Sequence, residues 1–244
     1  MESNRDTISL NKFISDTGFC SRREADRLIE SGRVHLNDEK AQKGNRVKSG
    51  DKVTVDGKLI KQADKKKRVY IALNKPPGII STTDRNVKGN IVDFVNYPER
   101  IFHIGRLDKP SEGLILLTND GDIVNKILRA GNAHEKEYIV SVNKPVTNTF
   151  LKKMASGVPI LDTVTLPCFI EKTGTHSFRI ILIQGLNRQI RRMCEVLGYE
   201  VNRLQRIRIM NIRLGSLPLG KWRKLTEKET NILMRLLRDS EKNL

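Results

Sequence analysis

The chain has 244 residues, 38% hydrophobic and 30% charged, enough apolar material for one large core or for a small module joined to a larger one, which excludes disorder throughout. Lys and Arg number 45 against 28 Asp and Glu, a formal charge of +17, so a polyanion is the expected partner. No stretch approaches the roughly 18 apolar residues a membrane span needs, and the opening Met-Glu-Ser-Asn-Arg-Asp lacks an apolar targeting region, so a cytoplasmic protein with no membrane partner is expected.

Residues 7–60 read as one compact unit. Leu10, Phe13 and Ile14 share one face of a first helix that ends at Thr17-Gly18. Ser21 is a good N-cap for a second helix, with Glu24 three residues on as its reciprocal partner; Ala25, Leu28 and Ile29 form the buried stripe, and Gly32 stops it. Short alternating segments follow, Val34–Leu36 before the turn Asn37-Asp38, Val47 near Gly50-Asp51, and Val53–Val55 before Asp56-Gly57. Arg22, Arg23, Arg27 and Arg33 lie off the apolar stripe and can face outward, as a small domain gripping RNA by its phosphates requires; a protein-interaction module would look the same locally.

Residues 61–68 carry one apolar side chain and five basic ones and read as a charged linker. Beyond it, Val69–Leu73 is a predicted strand stopped by Asn74-Lys75-Pro76-Pro77-Gly78, a rigid turn that offers Lys75 as a phosphate anchor, after which 79–82 can resume extended structure. Further strands are predicted at 113–118, 136–142 and 177–183, and helices at 91–95, 121–128, 148–156, 188–197 and 227–238. Strands interrupted by helices without regular alternation, and without a Gly-rich nucleotide motif, predict a mixed, mainly antiparallel α+β domain over 69–240.

The chemistry points to Asp108. It stands between Arg106 and Lys109 in a loop ahead of a very apolar strand, and the two cations would favour its ionised form, as a nucleophile or electrostatic catalyst needs. A second block, Gln184–Cys194, leaves a strand and enters a helix for which Asn187 is a credible N-cap, bringing Arg188, Arg191 and Arg192 to the helix start, where exposed amides already favour an anion. With Arg203, Arg206 and Arg208 these form a run whose spacing fits phosphate contacts. Tyr138 on its strand is either half-buried packing or a platform for an extruded base. Cys20, Cys168 and Cys194 are widely separated and the four His residues lack ligand spacing, so no disulfide, metal or cofactor is expected. Without a heptad repeat, a monomer is the default.

Taken together, Gly105-Arg106-Leu107-Asp108, Lys136-Glu137-Tyr138 and Asn187–Met193 resemble the signature blocks of the RsuA-type ribosomal RNA pseudouridine synthases, and the unit at 7–60 resembles the small RNA-binding domain found at the N-terminus of these enzymes and in a small-subunit ribosomal protein. The stretches 131–138 and 157–160 are similar to a subgroup acting on large-subunit (23S) ribosomal RNA. The resemblance implies a cofactor-free isomerisation of uridine, with a second structured RNA such as tRNA as a further substrate. Asp108 would attack either the uracil ring or the anomeric carbon, Arg191 would pair with it, Tyr138 would stack on the uracil and help remove the proton from carbon 5, and Arg106 would fill the space the nucleotide leaves. A noncatalytic RNA-binding or ribosome-assembly factor is the rival function; it has no use for an aspartate in a positive cleft.

Overall fold

A computed structural model of the chain describes residues 7–60, 68–128 and 133–238. The chain divides between residues 67 and 68 into two compact units.

The first unit runs β1 (Ile8–Ser9), α1 (Leu10–Asp16), α2 (Arg22–Glu30), β2 (Val34–Leu36), β3 (Glu39–Lys40), β4 (Arg46–Val47), β5 (Val53–Val55) and β6 (Lys58–Leu59). Its four-stranded sheet has the order β3-β2-β5-β6, and β1 pairs with β4. Both hairpins turn through two residues with positive φ, Asn37-Asp38 and Asp56-Gly57, whose twist matches that of the flanking strands. Leu10, Phe13 and Ile14 of α1 meet Ala25, Leu28 and Ile29 of α2 over Val34, Val53 and Val55. Each such Val, Leu, Ile or Phe side chain contributes roughly 1.5–3 kcal/mol relative to exposure. Ser21 caps α2 by accepting from Glu24 N–H at 3.1 Å, whereas the Glu24 carboxylate turns to Arg27 at 3.5 Å instead of closing a reciprocal box.

The second unit runs β7 (Tyr70–Lys75), α3 (Ile91–Val95), β8 (Phe102–Ile104), β9 (Glu112–Thr118), α4 (Asp122–Leu128), β10 (Lys136–Val142), α5 (Asn148–Ser156), β11 (Pro159–Ile160), β12 (Thr163–Val164), β13 (Phe169–Gly174), β14 (Ser177–Leu182), α6 (Gln189–Val196), β15 (Val201–Ile209), β16 (Ile212–Arg213), β17 (Trp222–Lys224) and α7 (Glu227–Leu236). The main sheet has the order β13-β14-β10-β15-β9-β7-β17, with β8 on β9 and β16 on β15. Every pairing in it is antiparallel except β15 with β9.

Two cores flank this sheet. Leu73, Ile115, Leu117, Val140 and Phe178 pack with residues of α3, α5 and α6 on one side, and Ala72, Leu114, Leu116 and Ile209 pack with α4 and Leu233 of α7 on the other. Strand β9 is buried on both faces, which is why its sequence is a continuous apolar run and not an alternating one.

Several expectations need correction. Strand β7 continues through Asn74 and Lys75 before the prolines end it, and residues 79–82 form no strand, Ile80 making a single bridge to Asn90. No strand is expected from the sequence at 201–209, yet β15 lies in the centre of the sheet; Arg206, buried on the same side as Leu204, and the largely covered Arg208 disguise its period-2 pattern. Arg208 bonds buried Glu137 at 2.6 Å and so helps hold the sheet together, while Arg203 bonds Glu112 at 2.8 Å and keeps an exposed side chain. The charged segment 61–67 and Gly131-Asn132 lie outside the described residues; Arg68, at the linker's end, is exposed and pairs with Asp120 at 3.3 Å.

Candidate active site

The loop between β8 and β9 carries Asp108, and its backbone is fixed on both sides. Buried Leu107 precedes it, and the Ser81 hydroxyl accepts from Leu107 N–H at 3.2 Å and donates to Leu107 C=O at 2.9 Å. Ser111 N–H then donates to Asp108 C=O at 3.0 Å. Gly113 lets the loop join the sheet: a Cβ there would lie 2.3 Å from Arg206 O, at a φ of +102° that side chains avoid, so only glycine permits β9 to pair with β15.

Lys75 supports the same loop from below. It is fully buried, and its ammonium donates to the carbonyls of Pro76 and Ile79 at 2.9 Å and Lys109 at 3.5 Å. Burial pulls its pKa down to about 8, with Asp108 opposing and Arg206 adding to the drop. The expected phosphate anchor is thus a structural cation that no RNA phosphate can reach, because β7 extends two residues further than its sequence suggests.

The second wall comes from α6. Asn187 does not cap it; the N-cap is Arg188, in the left-handed region with φ 50°, and the cap makes no side-chain hydrogen bond. Asn187 instead accepts from Arg192 through its C=O at 3.1 Å and its side chain at 3.3 Å, folding Arg192 back over the loop. The turn is held by buried Gln189, which accepts from Leu186 N–H at 3.0 Å. No role is expected for Gln189 from the sequence; its burial follows from the turn it closes.

This geometry aims two guanidiniums at Asp108. Arg188 Nη1 lies 3.8 Å and Arg191 Nε 3.9 Å from Asp108 Oδ2, so the cations flanking the carboxylate in space come from α6 and are not its sequence neighbours Arg106 and Lys109, both of which are exposed. Arg191 is anchored by Val201 C=O and Ser111 Oγ, each at 3.1 Å, while its buried Nε has no hydrogen-bond acceptor. Burial first, then Arg188, pushes Arg191 below the ordinary guanidinium range, and Asp108 opposes that.

Asp108, Tyr138, Arg188, Arg191, Lys136 and Arg206 all line one cavity of about 660 Å³. Tyr138 is only 9% exposed and faces the cavity from β10, where its strand partner across the ladder is Arg206. Arg106 and Lys109 are at its rim. Arg206, expected only as one of a run of phosphate contacts, and Lys136, expected only as a neighbour of Tyr138 in its block, are both buried in the cavity wall.

The other predicted RNA contacts belong to the first unit. Arg22, Arg23, Arg27 and Arg33 are all exposed there; Arg27 pairs with Glu24 at 3.5 Å, and Arg33 makes a two-bonded pair with Asp56 at 2.7 and 2.5 Å. Among the described residues no helix is long and apolar enough to cross a membrane.

Residues 69–196 match the family model described as RNA pseudouridylate synthase, and residues 9–53 match the S4 domain. The chain is 58% identical over 234 residues to the dual-specificity RNA pseudouridine synthase RluF of Escherichia coli K12, covering 96% of this chain and 81% of that one. It is 34% identical over 243 residues to the ribosomal large subunit pseudouridine synthase B of Bacillus subtilis, covering 96% and 98% of the two chains. A crystal structure of a pseudouridylate synthase superposes with a TM-score of 0.69 at 28% identity, covering 93% of this chain and 99% of the other. With a carboxylate held in a basic cavity and an S4 domain preceding the mixed sheet that carries it, the chain belongs to the RNA pseudouridine synthases of the RsuA type.

Proposed function

We propose that the enzyme isomerises a specific uridine in 23S ribosomal RNA, acting as a cytoplasmic monomer without a cofactor, and that it accepts a second structured RNA such as tRNA. The observation that carries the mechanism is the convergence of Asp108, Arg191 and Tyr138 in one cavity, with Arg191 Nε unsatisfied and facing the carboxylate. Similarity to a relative named as dual-specificity supports two RNA classes, and similarity to a large-subunit enzyme supports the ribosomal target.

In this reading the target nucleotide leaves its helix, at a cost of a few kcal/mol, and its base enters the cavity to lie against Tyr138. Arg106, exposed at the rim, takes the vacated place in the RNA. Asp108 attacks the uracil ring or the anomeric carbon, Arg191 stabilises the carboxylate, the base turns, carbon 5 bonds to the sugar, and the Tyr138 hydroxyl helps carry off the carbon 5 proton. Arg188, Arg192 and Lys109 hold phosphates at the rim; residues 7–60 form the RNA-binding domain through Arg22, Arg23, Arg27 and Arg33, residues 61–68 the linker and 69–240 the catalytic domain.

The test is to incubate the enzyme with 23S ribosomal RNA, ribosomal assembly intermediates and tRNA from cells lacking the gene, and to map uridine isomerisation by mass-sensitive sequencing. A unique new pseudouridine in ribosomal RNA, and one in tRNA, is expected. Tight binding with no new pseudouridine in any of these RNAs would overturn the reading.

A further inference from the structure

Strand β15 carries three arginines between residues 203 and 208, and two of them have carboxylate partners: Arg203 pairs with Glu112, and Arg208 with Glu135 and Glu137. Arg206 is the most buried of the three, 4% exposed, and among the described residues no carboxylate lies within ion-pair distance of it. Its Nε donates to Leu114 C=O at 2.7 Å, which accounts for one of five N–H groups; Nη2 is buried with no acceptor at all. A guanidinium taken out of water without an anion is costly unless something else completes its hydrogen bonds.

Its position says what that is. Arg206 lies across the β10–β15 ladder from Tyr138 and across the parallel pairing from Gly113, and lines the cavity that holds Asp108. Lys136, buried in the same wall, spends its ammonium on the carbonyls of His134 and Ile183, and burial together with Arg206 draws its pKa down to about 8. The exposed cations Arg106, Lys109 and Arg188 are available to phosphates at the rim, so a guanidinium in the interior meets the part of the nucleotide that enters deepest, the base.

We propose that Arg206 contacts the substrate directly, its guanidinium donating hydrogen bonds to a uracil carbonyl oxygen and holding the negative charge that oxygen gains during the reaction. This rests on the uridine isomerisation proposed above and holds for either route of attack. If Asp108 adds to carbon 6 of the ring, the electron pair of the carbon 5–carbon 6 double bond moves onto carbon 5 and the carbonyl oxygen at position 4. If Asp108 bonds to the anomeric carbon, the bond to N1 breaks and its electron pair spreads over both carbonyl oxygens. No proton passes from Arg206; in either route the bond between N1 and the anomeric carbon is broken, carbon 5 bonds to the anomeric carbon, the bond to Asp108 breaks and returns its electron pair to the carboxylate, the carbon 5 proton leaves, N1 gains one, and the charge on the ring is discharged.

The experiment is a cycle of enzyme and substrate changes, using an RNA fragment containing the mapped target as uridine, 2-thiouridine or 4-thiouridine, sulfur being the weaker acceptor. Single-turnover isomerisation and RNA binding are measured for wild type, Arg206→Met and Arg206→Lys, with thermal melting to compare folding. Arg206→Met is expected to be roughly 100-fold slower with RNA affinity nearly unchanged, the size of effect seen when one donor to a developing oxyanion is removed. At one of the two positions, sulfur should slow the wild type but not slow Arg206→Met further. Equal sulfur penalties in both enzymes at both positions would overturn the proposal. If Arg206→Met melts early, the same comparison with Arg206→Lys decides, a reduced sulfur penalty supporting the contact and an undiminished one refuting it. A wild type that forms no pseudouridine would instead count against the isomerisation itself.

Discussion

Arg191 points its Nε at Asp108 Oδ2 from 3.9 Å while its two terminal nitrogens are tied to Val201 C=O and Ser111 Oγ. The guanidinium is therefore oriented by the protein before substrate arrives, and a closure of about 1 Å would bring its free donor into hydrogen-bond range. Arg191→Met is expected to slow isomerisation by roughly 100-fold and leave RNA affinity intact, with Arg191→Lys recovering part of the rate because charge returns without the planar fork. Single-turnover rates alongside filter binding check this; a proportional loss of affinity would mean Arg191 is a phosphate contact.

Tyr138 separates stacking from proton transfer. Tyr138→Phe keeps the ring in the cavity wall and removes only the hydroxyl, so RNA binding should persist while pseudouridine formation falls by roughly 100-fold or more. Tyr138→Ala should weaken binding as well. Equal rates for wild type and Tyr138→Phe would remove the hydroxyl from the chemistry.

Lys75 and Arg188 are both basic residues near Asp108, but only one is accessible to RNA. Arg188→Met should lower the slope of log affinity against log salt by about 0.7–0.9, one counterion's worth. Lys75→Met should leave that slope unchanged yet cost about 1–3 kcal/mol of stability, since carbonyls in the turn beneath the Asp108 loop lose their donor. Salt titrations of binding and urea unfolding of the two variants distinguish the roles.

Glu229 provides a pH-dependent contribution to folding. It closes a capping box with Thr226 at the start of α7 and accepts from Arg223 twice at 2.7 Å; the Arg223 bonds, ahead of any other cause, draw its carboxyl down to about 2. A folded pKa below the unfolded value gives stability that is present above about pH 4.5 and lost as pH falls toward 2. Because the pair is partly exposed, Glu229→Gln should cost about 1–2 kcal/mol at neutral pH, and the difference from wild type should shrink across that acidic window. Unfolding curves at several pH values measure it; a pH-independent difference would contradict the ion pair as its source.

Much of this fold was legible because its signals are local. The Ser21 cap, the Asn37-Asp38 and Asp56-Gly57 turns and the apolar run of β9 each act within a few residues, and the structure follows them. What sequence reading could not reach depends on distant partners. Arg208 looks like a surface residue because Glu137, its buried partner, lies 71 residues away in sequence. Lys75 looks exposed because its burial comes from the sheet packed around it, although two of the carbonyls it bonds, Pro76 and Ile79, are close in sequence, and the cations facing Asp108 come from α6 and not from its own loop. The blocks holding Asp108, Tyr138 and Arg191 could each be found in sequence; that they line one cavity is a property of the sheet order.

The most direct test of the central claim compares wild type with Asp108→Asn, a substitution that keeps the side chain's size and removes its charge, in pseudouridine formation and binding on the same RNA. Unchanged or tighter binding with no detectable pseudouridine is the predicted result, since the lost negative charge only opposed phosphate. Pseudouridine formed by Asp108→Asn at the wild-type rate would contradict the assignment of this carboxylate as the nucleophile.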